Sequence, residues 1–188
     1  MRGAAIVGCL VIMLAAPVRA GVTELPVDAD VCAIMRALAG ASAPGCGAPE
    51  SLGGVRAGVP GVVPPAAIAA EQGYFVHFDF DSASLTEAYR RHLDRLALVL
   101  SAPGLSGLCV RLVGHADSVG DAGYNLRLSL SRAEAVNDYL AASGRVGPER
   151  LSVDGMGEEA PLPGISGDDP RNRRVEILVR EPAAAGCG

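Results

Sequence analysis

The sequence contains no tryptophan and no lysine, and only three phenylalanines and four tyrosines. Past Ala20 it has no apolar run long enough to cross a membrane. All sixteen basic residues are arginines, a matter of composition from which no function is read. They form no basic cluster and are outnumbered by twenty-one acids, which argues against nucleic acid or an anionic membrane as partner. There is no serine nucleophile elbow, no phosphate loop and no Cys–His arrangement suited to catalysis, so an enzyme is not expected. No CxxC or Cys/His spacing points to zinc or redox chemistry, and no cofactor is implied. His115 and Asp117 stand at a spacing that can serve a metal, but two ligands without a third or fourth are a weak signal.

What is present begins with an export signal. Arg2 is followed by an apolar stretch from Gly3 to Val18 and a small residue at Ala20, the pattern of a cleaved secretory leader over residues 1–20. Cys9 sits in a stretch resembling a lipobox, yet too few residues precede it to form the usual apolar segment. Without the leader, fourteen arginines face twenty-one acids, a formal charge of −7. Four cysteines remain, Cys32, Cys46, Cys109 and Cys187, an even number that reads as two disulfides in an exported chain. Three pairings are possible, and Cys32–Cys46 would close a short local loop.

Residues 28–39 carry apolar positions at helical spacing, with Asp28 or Asp30 as N-cap. From Gly40 to about Pro65 the composition turns to Gly, Pro, Ala and Val, which reads as a spacer, or else as a docking segment for a partner. Tyr74 to Asp81 alternates as a strand, with Tyr74, Val76, Phe78 and Phe80 on one side. Ser84 to Glu87 forms a capping box before a helix whose Leu85, Tyr89, Leu93, Leu96 and Leu100 share a face, ended by Pro103-Gly104. Leu108 to Gly114 is a second strand. Asn125 to Ser143 is a second helix, stopped by Gly144, and Leu151–Asp154 and Arg173–Arg180 are the last strands. The order β-α-β-α-β-β indicates an α/β sandwich with helices covering one face of the sheet.

The segment from Gly114 to Arg132 is the most informative. A strand leads into a Gly- and Asp-rich loop and then a returning helix, which brings Asp117 and Arg132 to one concave lip. An arginine there can grip a carboxylate through two N–H groups while the acid accepts from an ammonium. Alone, such a pair is more often a structural ion pair. The surrounding residues change the reading. Gly114-His115-Ala116-Asp117, Gly120, Tyr124-Asn125, Leu128-Ser129, Arg132-Ala133 and Val136 resemble the signature of the OmpA-like domain family. Phe78-Asp79-Phe80-Asp81-Ser82 upstream continues it, as do Arg150-Leu151, Gly155-Met156-Gly157-Glu158, Pro161 and Asn172-Arg173-Arg174-Val175-Glu176 downstream.

This resemblance implies a mixed four-stranded sheet of order 1-4-2-3 and a periplasmic module that binds peptidoglycan non-covalently. The ligand it implies is the diaminopimelate of the stem peptide, with the ammonium on Asp117 and the carboxylate on Arg132. Asn125 and the pair Asn172–Arg173 match supporting positions of that pocket, and Asp81 is expected at its border. Arg174 should face the other side and pair with an acid there. Where the family usually has Thr, this chain has Ala116. In the family's sheet the last strand runs beside the one beginning at Cys109, so the resemblance favours Cys109–Cys187, leaving Cys32–Cys46. The expected organisation is a leader (1–20), a short helix plus linker (21–70), the OmpA-like domain (71–181) and a tail (182–188). The function implied is anchoring of a soluble envelope protein to the cell wall, in the periplasm or at the outer membrane. The alternative is a scaffold that docks another envelope protein through residues 21–70.

Overall fold

A computed structural model describes residues 22–40, 46 and 71–187. The leader, Cys9, most of the Gly/Pro-rich spacer and Gly188 lie outside the described residues. In chain order the regular elements are β1 (Val22–Glu24), α1 (Val31–Ala39), β2 (Gln72–His77), α2 (Glu87–Leu100), β3 (Cys109–Gly114), α3 (Ala122–Ala142), β4 (Leu151–Gly155) and β5 (Arg174–Arg180).

The sheet has five strands in the order β1-β2-β5-β3-β4. Its last four keep the expected 1-4-2-3 order, and the difference is the extra strand β1, which pairs parallel to β2 through Val22↔Gly73 to Glu24↔Phe75. β5 lies between β2 and β3 and runs antiparallel to both. Alternation along the strands then divides the side chains. Tyr74, Val76, Val110, Leu112, Val175, Ile177 and Val179 enter the core under the helices. Phe75, Arg111, Val113, Arg174, Glu176 and Leu178 belong to the opposite face.

Residues 22–40 are built into the fold, with α1 inside the span expected to be helical. Asp30 caps α1 by accepting from the Ala33 amide at 2.7 Å, and Ile34, Met35 and Leu38 are buried in the common core. The segment is also tied to α2. Arg95 donates to the carbonyls of Ala29 and Val27, both at 2.8 Å, and His92 Nδ1 lies 3.1 Å from the Val27 oxygen. Cys32 and Cys46 are bonded, as are Cys109 and Cys187. The second bridge leaves from the residue of β3 that faces Arg180, the last of β5.

Three boundaries differ from the sequence reading. The N-cap of α2 is Thr86, whose hydroxyl accepts from the Tyr89 amide at 3.2 Å, not Ser84. α3 starts earlier, capped by Asp121 on the Tyr124 amide at 2.8 Å. β2 ends at His77, because the chain turns through Asp81, a non-glycine residue at φ 51°. Phe80 therefore leaves the core side and is 63% exposed.

Arg150 stabilises the turn between α2 and β3. Its Nε, Nη1 and Nη2 donate to the carbonyls of Leu108, Leu100 and Leu105 at 2.8, 3.1 and 2.8 Å. Gly114, at the end of β3, lets α3 rest directly on the sheet, since a Cβ there would stand 1.8 Å from the backbone oxygen of Ser129. That close approach fixes the height of α3, and with it the position of Arg132.

Candidate binding site

A shallow cleft of about 30 Å³ opens where β3, β5 and the N-terminal half of α3 converge with the turn after β2. Its lining includes Phe80, Asp81, Asp117, Tyr124, Arg132 and Arg173. It is too small to enclose a large ligand and suits a compact head group on a longer molecule.

The loop after β3 carries Asp117. Backbone bonds hold it from both sides: His115 N donates to Arg174 O at 2.8 Å, Ala116 N to Gly157 O at 2.8 Å, and Ser118 N to Gly167 O at 2.9 Å. Asn125 adds a further restraint. It is buried, and its side-chain nitrogen donates to Asp117 O, Val119 O and Glu158 Oε2 at 3.1, 3.2 and 2.7 Å. That amide nitrogen is therefore committed to shaping the loop.

Arg132 is fully buried. Its Nε donates to Ser82 O at 2.8 Å, Nη1 to His115 O at 3.0 Å and Nη2 to Asp79 O at 3.0 Å. All three nitrogens thus reach backbone oxygens and none reaches a carboxylate. A guanidinium has five N–H groups, so each terminal nitrogen keeps one more. The guanidinium lies 5.6 Å from the Phe78 ring centre. Burial lowers its pKa, with the Arg173 charge acting in the same direction and Asp117 and Asp81 opposing. Arginine remains a cation under such shifts.

The partner of Asp117 is not Arg132 but Arg173, whose Nη1 meets Asp117 Oδ2 at 2.9 Å, with both side chains largely buried. Arg173 also donates to Phe78 O at 3.3 Å and lies 5.9 Å from the Phe80 ring centre. Asp81 borders the cleft and accepts from the Tyr124 hydroxyl, a bond that raises the pKa of the tyrosine. Asn172 is not in the cleft. It is fully buried and clamps the 162–167 turn, accepting from Leu162 N and donating to Ser166 O and Gly167 O, each at 2.9 Å.

Asp117, Arg132, Asn125, Arg173 and Asp81 therefore come together at one cleft. Sequence reasoning missed Phe80, Val119 and Tyr124 on its rim, which are 63, 49 and 44% exposed. Tyr124 stood beside Asn125 in the motif, but nothing in the sequence ties its hydroxyl to Asp81. Among the described residues no cluster of three or more His, Cys, Asp or Glu is suited to a metal ion. No described helix is long and apolar enough to cross a membrane.

The sequence profile of the OmpA family matches residues 77–174, just over half of the 188 residues, and spans every side chain named in the cleft. The chain belongs to the OmpA family. Among curated relatives, outer membrane protein A of Bordetella avium is 36% identical over 104 residues, covering 54% of this chain and 52% of that protein. The peptidoglycan-binding protein ArfA of Mycobacterium bovis is 37% identical over 115 residues, covering 60% of this chain and 34% of that protein. This chain thus spans about half or less of the length of these relatives. Among solved structures, the peptidoglycan-associated lipoprotein of Burkholderia pseudomallei superposes with a TM-score of 0.50 at 31% identity, over 56% of this chain and 89% of that one. The OmpA-like domain of FopA1 from Francisella tularensis gives a TM-score of 0.51 at 25% identity, over 59% of this chain and 81% of that one.

Proposed function

We propose that this member of the OmpA family binds peptidoglycan non-covalently and holds an exported protein at the cell wall, without catalysing a reaction. The ligand group is the zwitterionic end of the stem peptide's diaminopimelate. Its ammonium pairs with Asp117, and its carboxylate takes the remaining N–H groups of Arg132 together with Arg173. The observation that carries this reading is Arg132, a buried cation beside the cleft whose protein partners are all neutral carbonyls. Such a site favours an anion from outside, because the guanidinium has already been desolvated in the folded protein. Two relatives whose names record binding to or association with peptidoglycan support peptidoglycan as the partner. Asn125 shapes the Asp117 loop, and Asp81 sets the rim through Tyr124. The place of action is the periplasm, with the wall as partner.

Binding at one exposed head group is modest, and residence at the wall then depends on the density of ligand the sacculus offers. The scaffold alternative loses part of its support, since the apolar face of α1 is spent in the core. Of its docking segment, residues 41–45 and 47–70 lie outside the described residues.

The test is co-sedimentation with purified sacculi of the diaminopimelate type and of the lysine type, using wild type and Asp117→Asn. Wild type should pellet with the first and not the second, and the variant should stay in solution while melting as a folded protein. Equal pelleting with both wall types would refute the diaminopimelate assignment. A wild type that remains soluble with both would refute wall binding.

A further inference from the structure

A second and much larger cleft, about 470 Å³, lies on the sheet face turned away from the helices. Its walls are aliphatic, formed by Val113, Leu178, Met156, Pro161, Leu162 and Pro163. The volume falls within the roughly 300–1,000 Å³ of small-molecule sites, and such sites combine apolar walls with a few fixed polar groups. Here the polar groups are His115, Arg174 and Glu176.

Arg174 donates from Nε and Nη2 to Glu176 Oε1 at 3.0 and 2.6 Å, and from Nη2 to Ala160 O at 3.2 Å. Among the described residues, its Nη1 has no hydrogen-bond partner and neither does either ring nitrogen of His115. Nε2 of His115 does stand 3.4 Å from Glu176 Oε1, but outside hydrogen-bond alignment. Both residues are only 3% exposed. Buried polar groups without partners are rare, and a group of them beside an apolar cleft calls for a partner from outside the chain. The sign of the missing group follows from the pairing already made. Glu176 is matched by Arg174, while Nη1 still offers its N–H groups, so the need is for an acceptor oxygen. At the rim, Arg111 is matched by Asp154 at 2.8 Å and Glu71 at 3.6 Å, so among the described residues the entrance presents no unpaired cation.

We propose that this cleft is a second ligand site, taking an aliphatic chain whose head presents a carbonyl-type oxygen to Arg174 and His115. A carboxylate and an amide share that chemistry and differ in charge. The site is separate from the front cleft although its residues are close in sequence: His115 and Arg174 serve the back face, Asp117 and Arg173 the front. It does not depend on what the front cleft binds.

The test is titration of the full-length chain with octanoate and, separately, octanamide, followed by NMR of the Val113, Leu178 and Met156 methyl groups. Saturable shifts of these methyls are expected. Response to octanoate alone identifies a charged head, and response to octanamide alone a neutral one. Arg174→Met should weaken binding about ten- to a hundred-fold, the effect of losing a hydrogen bond to a charged group. Because that change leaves Glu176 unpaired and can cost the fold, Ala160→Phe serves as a second variant. It fills the cleft from its wall, retains Arg174 and Glu176, and should abolish the shifts, whereas Asp117→Asn should leave them unchanged. No saturable shift with either probe, or shifts that persist in Ala160→Phe, would overturn the proposal.

Discussion

Arg173 holds Asp117 through a bond of 2.9 Å between largely buried side chains, and so occupies the acid at the front cleft. An ammonium that binds Asp117 must share or displace this contact, and the freed guanidinium is then positioned for the carboxylate of the same ligand. Each partner also stabilises the other against the cost of burial. Removing either alone should destabilise the fold by about 3 kcal/mol, the loss typical of a broken buried pair. The double variant Asp117→Asn/Arg173→Gln should lose less than the sum of the two. Urea unfolding of the full cycle measures the coupling, and strict additivity would show that the pair contributes nothing.

The Gly114–Ser129 contact makes a second prediction. A Cβ at position 114 meets backbone, which cannot rotate away, so α3 must lift from the sheet. Gly114→Ala should destabilise the protein by about 3 kcal/mol or more. It should also weaken wall binding in the fraction that stays folded, because Asn125 and Arg132 ride on that helix. Thermal melting beside sacculus pelleting separates the two effects.

Acid should act on the back face of the sheet. Burial alone would raise the Glu176 pKa, but His115 and Arg174 outweigh it and hold the carboxyl at about 2, below its ordinary 4.5. The unfolded chain therefore binds this proton more tightly. The stabilisation is complete above pH 4.5 and is lost as the pH falls through about 2. Glu176→Gln should flatten the pH dependence of stability in that window. An unchanged slope between the two proteins would remove Glu176 as its source.

The N-terminal segment should respond nearer neutrality. His92 is buried between the Tyr74 hydroxyl at 3.0 Å and the Val27 carbonyl at 3.1 Å, and burial lowers its pKa from 6.5. Its proton also binds the unfolded state more tightly, so the stability present above pH 6.5 is lost as the pH falls below it. Hydrogen exchange across residues 22–40 should accelerate relative to β3 on acidification from pH 7 to about 5. His92→Gln, which cannot take up a proton there, should abolish that acceleration.

The order of elements and the convergence of Asp117, Arg132, Asn125, Arg173 and Asp81 were legible because each sits at a fixed place in a strand–loop–helix pattern. What escaped depends on contacts between distant segments. β1 is three residues long and has no periodicity to detect, so only its pairing with β2 defines it. Phe80 continued the alternation of β2 in sequence, but the positive φ at Asp81 turns the chain before the alternation can apply. That Asp117 pairs with Arg173 rather than Arg132 follows from Arg132 being used by three carbonyls, and carbonyl oxygens are the same at every position of a sequence. The back cleft was hidden for a related reason: its walls come from segments far apart in the chain, and only the fold brings them around His115.

The bridge from Cys109 to Cys187 also determines how the molecule bears load. Tension applied beyond the tail would otherwise act on the end of β5 and peel that strand from its two neighbours, starting at Arg180 and working towards Arg173. The covalent link instead delivers the pull to the first residue of β3. β5 is bypassed, and the arginine that meets Asp117 stays in place while the protein is under tension.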